Sequence, residues 1–518
     1  MNGAQSLIRT LVDSGVTACF ANPGTSEMHF VKALDDVPEM RGVLALFEGV
    51  ATGAADGYGR MADHPAATLL HLGSGLSNGG ANLHNARRAN TPMVNIVGDH
   101  ATYHKRFDAP LDSDIEASAG TTSGWVRTST SPATLAGDAG EAVIAALTPP
   151  GQVATLILPA DVSWGEADSA VAPLPRPVRP AVDPAQVEST AAALRSGEPC
   201  ALLVGGSVGR ERGLVAASRV AQATGAKLLG ETFPARLERG AGRVDLERLA
   251  YLAEFIEMQL AGVKHLILAD TRAPVSFFAY PGKASDLVPE GCQVHTLAAV
   301  GADAVGALEA LADEVGAAAD LAVLTPPSTP EIPTGDLDAA KIAAVVGGLL
   351  PEGTIVVEEA QTGSIFAPGA TAGSPPHDWL TLCGGAIGMG IPVATGAAVA
   401  CPDRRVLNLE ADGSAMYTLQ GLWTQAREGL DVTTVIYNNR SYAILNMEMG
   451  RVGAEPPGPT ANSLLDISDP DLSFADLAKG MGVPAVTVDN AGALHTELAK
   501  SFHEPGPKLI EALVPSGF

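Results

Sequence analysis

Short apolar runs recur along the chain, and most end in Gly, Asp or Glu: "AATLLHL" before a Gly-rich turn, "MVNIVGD", "VATLILPAD", "CALLVGG", "HLILAD" and "GTIVVEE". Such Val/Ile/Leu-rich runs, with helical-period segments between them, predict strands buried on both faces and therefore parallel sheets in α/β domains. The opening "MNGAQSLIRTLVDSGV" predicts an amphipathic helix. It has neither the basic start nor the long apolar stretch of a signal peptide. Two proline-rich stretches, "VAPLPRPVRPAVDP" and "LTPPSTPEIPTGD", lack either period and suit extended linkers. The expected organisation is three doubly wound parallel-sheet domains at 1–170, 187–323 and 337–518, joined by linkers at 171–186 and 324–336. Each block has ordinary domain size, and the last repeats the style of the first.

One segment, "RRVLNLEADGSAMYTLQGLWTQAREGLDVTTVIYNN", carries the most specific pattern. Residues Val406–Leu409 predict a strand. Met416, Leu419, Leu422, Trp423 and Ala426 follow a helical period that Gly429 ends, and Val432–Tyr437 predicts a β-branched strand. A right-handed βαβ unit makes the two strands parallel. Asp412 and Asn439 then both sit at carboxyl ends of strands, the edge where open α/β sheets bind ligands.

Length and charge narrow the field. A chain of 518 residues is too long for one core. A net charge of −26 disfavours nucleic acids and anionic membranes as partners. No apolar run suits a spanning helix. The five cysteines are scattered with no CxxC pair, which predicts reduced thiols in a cytoplasmic protein.

A carboxylate and an amide oxygen are hard donors that suit Mg²⁺, whose remaining positions phosphate oxygens fill. Gly413 permits close approach of the backbone, and Ser414 opens a helix whose first amides favour a diphosphate. Asp-Gly-Ser alone is equally an Asx turn with a helix cap. The Asn-Asn pair ending the next strand, 24 residues beyond Gly413, weakens that bland reading. Glu48, in "LALFEGVATGAADGYGRM", stands where a strand meets an Ala/Gly-rich helix. Read by itself, it is a helix-start carboxylate as readily as a functional one.

These motifs together resemble the thiamine diphosphate (ThDP)-dependent enzymes, acetolactate synthase and benzoylformate decarboxylase in particular. Asp-Gly-Ser followed by Asn-Asn is similar to the family's diphosphate and metal motif, with Ala411 where the family usually has Gly. By this resemblance Asp412, the side chain of Asn439 and the carbonyl of Ser441 would ligate Mg²⁺, with Tyr442 and Ala443 beside them. Glu48, Ala51, Ala55, Asp56, Gly57, Tyr58 and Arg60 match a second family motif, in which the glutamate touches the coenzyme's pyrimidine. That carboxyl favours the imino tautomer, which removes the thiazolium C2 proton. "LCGGAIGMGIPVATGAAVA" resembles the segment that clasps the pyrimidine, with Gly385 in the turn and Ile387 as the side chain that bends the coenzyme. "VVEEAQTGS" would place Gln361 and Thr362 at the diphosphate.

The resemblance covers nearly the whole chain. It implies a pyrimidine-binding first domain, a central domain and a diphosphate-binding last domain. Sites shared between subunits of a homodimer or homotetramer are implied as well. "ANPGTSEMHF" places Thr25, and "LLHLGSG" places His71, at positions that contact substrate in benzoylformate decarboxylase-like members. A strand-end histidine is also a common structural hydrogen-bonding residue.

Departures blur the specificity. No histidine occurs in "APVSFFAYPG", where benzoylformate decarboxylase carries its second one. The lysine that acetolactate synthases carry before "SGWVRT" is replaced, with Gly124 at the match. Leu445 and Glu448 fall on pocket-lining positions, and Glu448 either pairs with a substrate group or Arg451, or faces solvent. His100, His104, Lys105 and Arg106 either receive an anionic substrate or form a solvated loop. The central block has no dinucleotide fingerprint, since "GGSVGRERG" is too loose, so FAD is not expected.

The expected activity is decarboxylation of a 2-oxo acid, with transfer of the resulting carbanion to an aldehyde or keto acceptor. The alternatives are a decarboxylase that releases an aldehyde and a non-catalytic homologue or regulatory subunit. A nicotinamide-dependent oxidoreductase is a remote fourth, since no clean G-x-G-x-x-G is present.

Overall fold

The computed structural model describes residues 1–454 and 456–516. Three sheets organise it, and each is dominated by parallel pairing. The first is built from Ala18–Asn22 (β1), Arg41–Leu44 (β2), Ala66–Leu70 (β3), Met93–Asp99 (β4), Trp125–Thr128 (β5) and Val153–Pro159 (β6). Their order is β2-β1-β3-β4-β6-β5. Every residue of β3, β4 and β6 is buried, as continuous apolar runs between two helical layers require. The predicted first helix is Gly3–Asp13, closed by a capping box in which Asn2 and Gln5 bond each other's backbone amides.

The central segment contributes Cys200–Val204 (β7), Lys227–Gly230 (β8), Leu237–Arg239 (β9), Glu247–Arg248 (β10), His265–Ala269 (β11) and Gln293–Ala298 (β12). Five of these form a parallel sheet in the order β10-β8-β7-β11-β12. The sixth, β9, leaves it and pairs antiparallel with a strand of the last sheet, Trp379 facing Leu237. The sequence pattern places Leu237–Arg239 in the central domain. Three residues are too few to register a sheet preference, so this exchange is settled by packing.

The last sheet adds Ile355–Glu359 (β13), His377–Thr381 (β14), Val406–Ala411 (β15), Val432–Asn438 (β16), Ala485–Val488 (β17) and Lys508–Leu513 (β18), in the order β17-β18-β16-β15-β13-β14-β9. The βαβ unit forms as the pattern predicts, with β15 and β16 parallel from Val406↔Val432 to Ala411↔Tyr437. Its connection is not one helix. Asp412–Thr418 and Gly421–Glu428 are separate helices that break at Leu419–Gln420, and the first turns Met416 to solvent. Gly429 ends the second with a φ of 63°.

The first and last domains meet through two glycine-bearing helices, Glu48–Ala62 and Gly390–Ala400. Gly57 lies against the carbonyl of Val393, and Gly396 against that of Ala54. One apolar core cluster runs continuously through both domains. Among the described residues, no helix is long and apolar enough to cross a membrane.

Candidate active site

The carboxyl edge of the last sheet opens into a cavity of about 470 Å³. Gln361, Thr362, Ile387, Asp412, Gly413, Ser414, Asn439, Ser441, Tyr442 and Ala443 all line it. Residues far apart in the chain converge here because β13, β15 and β16 are neighbours and end at the same level. Asp412 Oδ1 accepts from the amide of Gly413 at 2.7 Å, and Oδ2 from that of Arg440 at 2.6 Å. Asn439 Oδ1 accepts from Ser441 N at 2.9 Å. Burial pushes the Asp412 carboxyl above the usual range, and the surrounding amides oppose that shift. A divalent cation would offset this desolvation directly. The donor set is a carboxylate, an amide oxygen and a main-chain carbonyl, which fits a hard cation carrying phosphate oxygens.

Two of the loop residues here hold a left-handed backbone although neither is glycine: Gln361 at φ 52° and Arg440 at φ 58°. Such conformations persist where the surroundings over-determine them, and they cluster at functional sites. The segment "GGAIGMG" is fixed from two sides. Glu359 accepts from Gly388 N at 2.8 Å and from Gly390 N at 2.5 Å. From the first domain, Asn82 donates to Gly388 O, Asn85 donates to Ala386 O, and His84 Nε2 lies 3.1 Å from Gly384 O. These bonds place Ile387 at the cavity. Glu359 is fully buried beside an equally buried Glu410. Burial pushes Glu359 up to about 7, and burial with the neighbouring Glu359 carboxyl raises Glu410 well above the carboxylate range. The pattern "VVEEAQTGS" points to Gln361 and Thr362 and passes over Glu359, whose role depends on a loop 30 residues away that no local spacing reveals.

Phe277, from the central domain, covers the turn of that segment. A Cβ on Gly385, which has a φ of 74°, would lie 2.7 Å from the phenyl Cζ. Phe233, Tyr251 and Phe278 pack around Phe277, with ring centroids 4.9–5.9 Å away. Glu448 is tied to the same group. It accepts from Tyr251 Oη at 3.2 Å and from Tyr280 Oη at 2.8 Å, and it lies 3.4 Å from Arg451 Nε. Of the two readings left open by the sequence, pairing with Arg451 is the one observed, joined by two phenols from the central domain. Leu445, one turn before Glu448, is exposed.

The first-domain residues form a separate cluster. Glu48 opens the helix Glu48–Ala62 and is buried, its Oε2 accepting from Asn78 at 3.0 Å. His71 caps the helix Leu72–Arg88, and Leu72 after it has a φ of 50°. Neither residue lines the cavity described above, nor does Thr25, Gly385, Leu445 or Glu448. His71 Nδ1 lies 2.8 Å from Oε2 of Glu27, a residue with no solvent exposure. That carboxylate also accepts from Gly24 N at 2.7 Å and from Ser26 Oγ at 2.6 Å. It holds the proton on Nδ1 and leaves Nε2 free to exchange one. Gly98 is required here, because a Cβ at that position would fall 1.6 Å from Glu27 Oε1.

The sequence reading chose Thr25 and His71 and missed Glu27. Thr25 is exposed, and Ser26 is the hydroxyl that faces the imidazole, at 3.3 Å. Lys105, in the loop after β4, is engaged by Asp99 and Asp112 at 2.9 Å each.

The three-sheet architecture, the Asp412–Asn439 edge and the Gly-rich segment define a thiamine pyrophosphate enzyme, and the comparisons with known proteins agree. Residues 1–119 match the thiamine pyrophosphate enzyme N-terminal TPP binding domain, and residues 366–512 match the C-terminal TPP binding domain. The chain belongs to this family. It is similar to a Mycobacterium tuberculosis protein named "Putative acetolactate synthase large subunit IlvX", 62% identical over 517 residues, which cover 100% of this chain and 99% of that one. Benzoylformate decarboxylase of Pseudomonas aeruginosa is 29% identical over 537 aligned residues, with 96% of each chain covered. The solved thiamine diphosphate-dependent 4-hydroxybenzoylformate decarboxylase of Rhodococcus jostii superposes with a TM-score of 0.86 at 25% identity, covering 100% of this chain and 99% of that one. This protein is therefore an enzyme of the ThDP-dependent acetolactate synthase/benzoylformate decarboxylase type.

Proposed function

We propose that the enzyme decarboxylates a 2-oxo acid with ThDP and Mg²⁺ and transfers the product carbanion equivalent to a carbonyl acceptor. The observation that carries this reading is the convergence of Asp412, Asn439 and Ser441 on one cavity at the ends of two adjacent parallel strands. When bound, the coenzyme supplies the electron sink that decarboxylation requires. Asp412, Asn439 and the Ser441 carbonyl would hold the metal, and Gly413, Ser414, Gln361 and Thr362 would hold the diphosphate. Ile387 would fix the coenzyme's bend. Glu48 would hold a proton at a pyrimidine ring nitrogen, and its buried setting suits that task.

Glu48 sits outside the cavity of its own chain's last domain. A second copy completing the site accounts for this. Leu46, Ile365, Phe366, Met416 and Tyr417 are all 42–63% exposed, and these apolar side chains suit burial against a partner subunit. His71 and Glu27 would then face the reacting carbon from the partner's side, with Nε2 as the proton-exchanging atom. A second reading, release of an aldehyde, is favoured by that same imidazole, since protonation at the carbon would replace transfer to an acceptor.

The test is incubation of purified protein with ThDP, Mg²⁺ and a panel of 2-oxo acids, with and without aldehydes or ketones, with products read by mass. Loss of CO₂ that needs both ThDP and Mg²⁺ supports the proposal. A carbon–carbon bonded product separates carboligation from simple decarboxylation. No turnover of any 2-oxo acid by a protein that binds ThDP tightly would refute it in favour of a non-catalytic homologue.

A further inference from the structure

A second cavity, of about 440 Å³, lies between the first domain, the proline-rich segment after it and the carboxyl edge of the central sheet. Five guanidinium groups line it: Arg60, Arg176, Arg179, Arg210 and Arg236. In a chain with only 32 Lys and Arg and a net charge of −26, such a concentration needs a reason. Two of the five are already neutralised. Arg60 makes a two-pronged pair with Asp56 at 2.8 and 2.5 Å, and Arg236 bonds Asp378 at 2.5 Å.

The other three lack adequate counter-charge. Arg176 bonds only the main-chain oxygen of Asp63, at 3.1 Å. Arg210 meets Asp63 Oδ1 at 3.0 Å, but that carboxylate is two-thirds exposed. Arg179 comes no closer than 3.6 Å to Asp270. The Nη1 atoms of both Arg179 and Arg210 are buried with no hydrogen-bond partner. A buried guanidinium donor without an acceptor is costly, and it marks a place where an acceptor belongs.

Asp270 cannot turn to meet them. It accepts from Ser207 N at 2.8 Å, from Ser207 Oγ at 2.5 Å and from Gly301 N at 2.9 Å. Glu231 likewise accepts from Gly206 N at 3.1 Å. The strand-end amides that would cradle the pyrophosphate of a dinucleotide are thus occupied by the chain's own carboxylates. An anion in this cavity would be held by the arginines instead.

We infer that this cavity is a binding site for a compact phosphate-bearing anion, distinct from the coenzyme site. Guanidinium forks match phosphate oxygens in pairs, and three under-neutralised arginines suit a ligand with at least two negative charges. The site draws on the first domain, the connecting segment and the central domain, so occupancy would clamp all three together.

The experiment is calorimetric titration of the holoenzyme, kept saturated with ThDP and Mg²⁺ so that the diphosphate pocket is blocked. Inorganic pyrophosphate, ADP and FAD are added in separate arms at constant ionic strength, with sulfate as a control. Saturable binding of pyrophosphate or ADP that Arg179→Ala and Arg176→Ala each weaken by roughly tenfold or more supports the site. Tighter binding of ADP than of pyrophosphate would make a nucleotide the source of the phosphate, and the reverse would make it inorganic. Arg210→Ala should have the same effect. If that variant fails to fold, the two connecting-segment variants still decide. Absence of saturable binding in both phosphate arms, binding unchanged by Arg179→Ala and Arg176→Ala, or sulfate binding as tightly as pyrophosphate would overturn the inference. So would FAD binding that persists in Arg179→Ala.

Discussion

Glu27 offers the sharpest perturbation of the first-domain cluster. It has no solvent exposure, and its two oxygens accept from Gly24 N, Ser26 Oγ and His71 Nδ1 within 2.6–2.8 Å. Glu27→Gln keeps the shape and leaves a carbonyl oxygen to accept from Gly24 and His71, while Ser26 can turn its hydroxyl to accept from the new amide. What is lost is the charge. Hydrogen bonds to ionised groups contribute about 1.5–3 kcal/mol against about 0.5–1.5 for neutral ones, so the imidazole loses roughly 1–2 kcal/mol of orientation and of support for its protonated form. If His71 exchanges a proton during turnover, kcat/KM falls roughly 5- to 30-fold. Glu27→Ala strands both His71 Nδ1–H and Gly24 N–H, and the loss should exceed about 100-fold. The assay is steady-state kinetics on whichever 2-oxo acid is turned over, alongside urea unfolding of each variant. Glu27→Gln turnover within about twofold of the parent at every pH would refute the reasoning. A change confined to stability would do the same.

Two further outcomes follow from the packing and the buried carboxyls. Gly396→Ala would drive a methyl to 1.7 Å from Ala54 O, and should lower the urea midpoint by the equivalent of about 1–3 kcal/mol. An unchanged midpoint would mean that the two glycine-bearing helices are not held as close as described. Glu359 titrates near 7 when folded and at its ordinary 4.5 when unfolded, so between those values the folded chain holds more protons. Its contribution to stability is full below about 4.5 and declines as pH rises through about 7. Glu359→Gln should flatten that part of the stability profile, and a parallel profile for the variant would contradict the assignment.

Much of the diphosphate edge was legible because its parts are close in sequence. Asp412 and Asn439 end consecutive strands, and a single βαβ unit fixes their relation whatever the rest of the fold does. The Gly-rich segment was legible for a similar local reason. Glu27 and Glu359 were not, because each acts on a residue that sheet order brings near. Glu27 reaches His71 only because β1 and β3 are neighbours, and Glu359 reaches Gly388 only because the loop after β14 folds back. Phe277 was hidden in the same way: "APVSFFAYPG" reads as an irregular aromatic loop until the central domain sets it against Gly385. The break at Leu419–Gln420 escaped notice because the apolar period continues across it while the backbone does not.

Mixing two inactive variants tests the central claim that the site is shared between two copies of the chain. Glu48→Gln and Asp412→Ala are purified separately, dissociated, combined in equal amounts and reassociated with ThDP and Mg²⁺. A site built from Glu48 of one copy and Asp412 of the other leaves one intact site in every hybrid dimer, so random pairing should restore roughly a quarter of the parent activity. Continued inactivity of the mixture, with hybrid dimers present by native mass spectrometry and the parent recovering after the same treatment, would contradict the account.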